Sequence, residues 1–111
     1  MSVLAEKIRK SRESVVEAGG FQFTIRRPTD MEMVEFYQRR DPKQLIRFVV
    51  GWDRVRELDL FPGGDPHPAP FDSEACSEWL SDRADLFSPV VTAITDAYQS
   101  HKSALGDAEK K

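Results

Sequence analysis

The sequence contains a single cysteine, Cys76, so no disulfide can form within the chain. A lone thiol suits a reducing compartment, and a cytoplasmic location is expected. No apolar run approaches the ~18 residues of a membrane span. The first ten residues, MSVLAEKIRK, are too charged for a secretory signal. Only two histidines occur, His67 between Pro66 and Pro68 and His101 further on. Neither has a Cys or His at ligand spacing, so no metal or cofactor is expected. Cys76 has no base near it in sequence, which argues against a catalytic thiol. Gly63-Gly64-Asp65 lacks the Lys-Ser/Thr of a phosphate loop and reads as a turn. The carboxylate pairs Asp82/Asp85 and Glu74/Glu78 fit solvated helix positions better than acid–base chemistry. An enzyme is not expected.

The 111 residues suffice for one domain, and 40% apolar with 32% charged residues is a globular composition. Charge is uneven. Residues 1–56 carry 12 Lys/Arg against 8 Asp/Glu, and residues 57–111 carry 4 against 11. A basic half followed by an acidic half permits homo-oligomers or an oriented partner, and equally describes two solvated faces. The pI of about 5.4 disfavours general nucleic-acid binding.

Val3, Leu4 and Ile8 predict a short N-terminal helix within residues 1–13. Phe21, Phe23 and Ile25 alternate with Gln22, Thr24 and Arg26 after Gly19-Gly20, the pattern of a β-hairpin over 14–27. Thr29-Asp30-Met31-Glu32 is a capping box that opens a helix to about Arg40. Asp41-Pro42 restarts the chain. Leu45, Ile46, Phe48, Val49 and Val50 then predict a buried helix from Lys43 to Val50, with Gly51 as its C-terminal cap. Four of the seven prolines fall in 62–70, which predicts a loop of limited freedom. Phe71-Asp72-Ser73 opens a helix over 73–82 that turns Ala75, Cys76, Trp79 and Leu80 inward. Ser88-Pro89 opens a last helix to about His101, leaving Leu86 and Phe87 in a turn and 102–111 as a frayed polar tail. The expected fold is a mostly α, small helical domain over 14–101, its N-terminal β-hairpin packed on about four helices.

Three segments resemble one family. FTIRRPTDMEMVEF, VVGWDRV and the P-x-P-F-D-S-E stretch before Trp79-Leu80 are similar to tail assembly chaperones of long-tailed bacteriophages and prophages. The matching positions are Arg26 to Asp30, Gly51-Trp52, Pro68, Pro70, Phe71, Ser73 and Glu74. The likeness spans roughly residues 14–100. An extra Asp72 and a longer loop over 57–67 depart from the family pattern. The resemblance implies a non-enzymatic, mostly helical protein of the host bacterium's cytoplasm. Such proteins keep the tape-measure protein soluble and recruit tail-tube protein before polymerisation. Some are also made in a frameshift-extended form.

Two other classes compete. Helix 29–40 followed by 42–50 has the spacing of a helix-turn-helix DNA-binding regulator, although its second helix is apolar nearly all round. A structural head–tail completion protein would share the phage setting. Trp52 and Trp79 are candidates both for core aromatics and for interface anchors. Trp52, Phe61, Arg39 and Arg40, which border the central loop, are the candidate partner-binding residues.

Overall fold

The computed structural model describes residues 2–109. Helix α1 (Val3–Ser11) leads into strands β1 (Glu13–Ala18) and β2 (Phe21–Arg26), then helix α2 (Asp30–Arg39). A 3₁₀ segment (Pro42–Phe48) runs directly into β3 (Val49–Asp53). A one-turn helix α3 (Glu57–Leu60), α4 (Ser73–Ser81) and the long α5 (Ala84–Glu109) complete the chain. The protein is mostly helical. Among the described residues, no helix is long and apolar enough to cross a membrane.

The hairpin forms where the Gly-Gly pair predicts it. Gly19 and Gly20 both have positive φ, 57° and 85°, as a tight two-residue turn of matching twist requires. Ala18 then pairs with Phe21 and Val16 with Phe23. The capping box at α2 is also present: Glu32 N–H donates to Thr29 Oγ1 at 3.2 Å, and Thr29 N–H donates to Glu32 Oε1 at 3.0 Å.

The sheet corrects one expectation. Residues 43–50 do not form a single buried helix, and Gly51 is not a helix cap. The helix-like part ends at Phe48, and Val49–Asp53 joins β2 as a third antiparallel strand, in the order β1-β2-β3. The hairpin therefore belongs to a three-stranded sheet. An apolar run rich in Val suits either element, and the open edge of β2 decides in favour of the strand. The pairing slips between Thr24 and Ile25, so that Ile25 meets Val49 while Thr24 meets Gly51. This bulge leaves Val50 turned outward and keeps both Ile25 and Val49 buried.

A second correction concerns α5. The helix begins at Ala84, not at Ser88-Pro89, and continues past His101 to Glu109. Pro89 sits in its second turn, where the hydrogen bond it forgoes is one near the helix start. Leu86, expected in a turn, is fully buried in the first turn, with Val90 and Ile94 following on the same face.

The core lies between the sheet and helices α4 and α5. Phe23, Ile25, Leu45, Phe48, Val55, Leu80, Leu86, Val90 and Ile94 are its most enclosed side chains. The proline-rich loop is pinned across it. Ala69 N–H donates to Val55 O at 2.7 Å, Leu58 N–H donates to Asp65 O at 3.0 Å, and Trp52 Nε1–H donates to Ala69 O at 2.9 Å.

Candidate partner-binding surface

An aromatic cluster fixes the middle of the molecule. Trp79 meets Phe21 edge-on at 5.1 Å and Trp52 at 6.0 Å with rings perpendicular; Trp52 meets Phe71 edge-on at 5.1 Å. Both tryptophans thus take the core role. Trp79 is 5% exposed, and Trp52 is half-buried with its indole N–H committed to the loop. The three resembling segments meet in this scaffold. Pro28 is buried beside the α2 cap, Phe71 meets Trp52 edge-on, and Asp72 caps α4 by accepting from Ala75 N–H at 3.0 Å. Arg26 holds Glu32 in a two-pronged ion pair, 2.9 and 3.0 Å, and lies 4.6 Å over the Phe48 ring. Pro28, Phe71 and Arg26 build the fold, whereas Asp30, Pro68, Pro70, Ser73 and Glu74 are exposed.

The four candidate residues do not converge. Phe61 is 49% exposed and lines a groove of about 500 Å³ with Leu60, Ala75, Glu78, Trp79 and Asp82 along one flank of α4. Arg39 lines a different groove of about 390 Å³, with Glu35, Lys43, Arg47 and Glu74, along the other flank. Glu35 stands between Arg39 and Arg47 at 3.8 and 3.7 Å, long contacts of the solvent-exposed kind. Arg40 is exposed at the end of α2 in a left-handed conformation, φ 54°. Trp52 lines neither groove.

Exposed apolar side chains also lie on three of the helices. Val3, Leu4 and Ile8 on α1, Met31, Val34 and Tyr37 on α2, and Leu105 near the end of α5 are all exposed. Met31, Val34 and Tyr37 follow one another at three-residue spacing and make a stripe on one side of α2. The apolar spacing along α1 and α2 translates into little burial. Met33 alone is buried in α2, and no residue of α1 is buried. A contact that no local pattern announces ties α2 to α5: Asp30 accepts from Tyr98 Oη–H at 2.8 Å and from Lys102 Nζ at 3.1 Å. The Tyr98 bond holds the Asp30 carboxyl below its ordinary range.

The chemistry on offer is sparse. Cys76 is 1% exposed, and burial pushes its thiol up to about 12, which removes the thiolate a nucleophile needs. His67 contacts Asp65 on the exposed loop. Among the described residues, no group of three or more His, Cys, Asp or Glu side chains could hold a metal ion. The 3₁₀ segment buries Leu45, Ile46 and Phe48, so the α2 pair offers no exposed recognition helix. In comparisons with known proteins, the chain matches no family model, no curated protein and no solved structure.

Proposed function

We propose that the protein is a tail assembly chaperone of a long-tailed phage or prophage. It acts in the bacterial cytoplasm by binding the tape-measure protein and tail-tube subunits before the tail polymerises. The observation that carries this reading is the set of exposed apolar side chains on α1, α2 and the end of α5. Exposed apolar surface grouped on helices suits capture of other apolar helices. A tape measure is a long amphipathic helical chain whose bare apolar face would aggregate. Several weakly bound copies of a small helical protein cover such a face by avidity. The motif resemblance at Arg26 to Asp30, Gly51-Trp52, Pro68, Pro70, Phe71, Ser73 and Glu74 supports the same reading.

The test is co-expression with the tape-measure protein of the same phage or prophage, followed by size-exclusion chromatography with light scattering. A tape measure that becomes soluble and co-elutes with several copies of this chain is the expected result. A tape measure that stays insoluble, with this chain eluting alone as a monomer, overturns the reading. Within it, Phe61→Ser is expected to weaken capture while leaving the fold intact, because Phe61 is half exposed at the lip of its groove. A thermal melt checks the fold, and the co-elution ratio checks the capture. Unchanged capture by a folded Phe61→Ser protein removes Phe61 from the binding surface.

A further inference from the structure

A pocket of about 430 Å³ lies where the end of α1, β1, β2 and the start of α2 meet. It is lined by Arg9, Arg12, Glu13, Arg26, Thr29 and Glu32. Its charges are not evenly matched. Glu32 is fully engaged: Arg26 grips both its oxygens, and Oε1 also accepts from Thr29 N–H. Arg9 and Arg12 form no ion pair with any carboxylate among the described residues. The Nε–H of Arg12 is buried and has no hydrogen-bond acceptor among the described residues. Such donors are rare in folded proteins, because leaving one unpaired forfeits its interaction with water. Among the described residues, none behind Arg12 relieves it. Arg27 N–H donates to Arg12 O at 2.8 Å, which sets a second arginine beside it, and His101 of α5 faces the same cluster. Asp30, the nearby carboxylate, is taken by Tyr98 and Lys102.

We propose that this pocket receives one carboxylate, carried on an amphipathic helix of a partner protein that lies along α1. Three guanidinium groups against two carboxylates leave one positive charge among the lining residues. A single carboxylate neutralises that charge, whereas a phosphate dianion would overshoot it and face Glu13. The helix follows from α1 itself. Leu4, Ile8 and Arg12 recur at four-residue spacing and form one stripe, with Leu4 and Ile8 exposed and Arg12 at the pocket. A partner helix that seats apolar residues on Leu4 and Ile8 brings its next turn over Arg12. The identity of the partner as a tape-measure segment rests on the proposed function; the pocket's preference for a carboxylate does not.

The probe is a synthetic amphipathic peptide with Leu and Ala on one face and Gln on the other, made with one central Glu or with Gln in its place. Each is titrated into the full chain by calorimetry, and the arginine Nε–H resonances are followed by NMR. The Glu peptide is expected to bind about five- to tenfold more tightly and to shift the Arg12 signal. Arg12→Gln is expected to abolish the difference between the two peptides, and Ile8→Ser to weaken both. Should Arg12→Gln fail to fold by circular dichroism, Arg9→Gln, on the exposed side of the pocket, reads the same difference. Equal affinity of the two peptides for the native chain overturns the proposal. So does inorganic phosphate that shifts Arg12 at lower concentration than acetate does. A Glu preference together with an insoluble tape measure would overturn the chaperone reading and leave the pocket standing.

Discussion

Glu32 performs two tasks with one carboxylate, and pH separates them. It caps α2 through Thr29 and pairs with Arg26, and the Arg26 fork is the main reason its carboxyl falls from 4.5 to about 2. The folded state therefore favours the charged form. The stability this adds is complete above pH 4.5 and is lost as pH falls through about 2. Glu32→Gln keeps an oxygen for the Thr29 N–H but loses the ion pair. With both side chains partly exposed, the expected cost at neutral pH is about 1 kcal/mol. Urea unfolding at pH 7 and at pH 2.5 is the check: the gap between variant and parent should narrow in acid. An equal gap at both values would mean the cap alone matters. Cys76 offers a second reading at this scale. Buried and with its thiol near 12, it should resist a maleimide in native buffer and react promptly in denaturant. Fast native labelling would place α4 away from the sheet.

Among elements, the hairpin turn is where backbone and packing act together. A Cβ on Gly19 would sit 2.4 Å from Leu86 Cδ2, and its φ of 57° is already unfavourable for alanine. Leu86 is fully buried and has little room to move. A Cβ on Gly20, at φ 85°, would meet no atom of the described residues within 4 Å beyond its chain neighbours. Gly20→Ala is therefore expected to cost about 1 kcal/mol of backbone strain, and Gly19→Ala about 2–4 kcal/mol because overpacking adds to it. Equal shifts in the urea midpoint would show that α5 does not press on the turn. The same contrast explains what could be read in advance. The Gly-Gly turn, the Thr29/Glu32 box and the Asp72 cap are local, and each is legible from a few neighbouring residues. Val49–Asp53 was not legible as a strand, because its pairing with β2 depends on an edge more than twenty residues away. The start of α5 was hidden by Pro89, which marks a helix's first turn more often than its second. The Arg12 pocket was invisible for the same reason as the Asp30–Tyr98 bond: its members come together only through the fold.

At the scale of the whole molecule, burial is concentrated in one part and three helices extend beyond it. Phe23 and Ile25 on the central strand are enclosed, whereas α1 buries no residue. Helix α5 joins both regimes: Val90 and Ile94 are fully buried, its main packing is on β1, α4, the 3₁₀ segment and β2, and Leu105 is exposed. The Asp30 bonds to Tyr98 and Lys102 mark where it leaves the core. Backbone amides should exchange accordingly. Those of residues 23 and 25 are expected to open only with global unfolding. Those of α1 and of 103–108 should exchange nearly as fast as in a short isolated helix, which is marginal in water. Hydrogen exchange read by mass spectrometry at two protein concentrations gives the answer. Protection of α1 equal to that of β2 at both concentrations would mean that this helix is part of the folded core, and its apolar stripe would not be free for a partner. Protection that rises with concentration would mean that the stripe is covered by other copies of the chain. Low protection at both leaves Leu4, Ile8 and the Arg12 pocket open, the state that the proposed capture of an apolar helix requires.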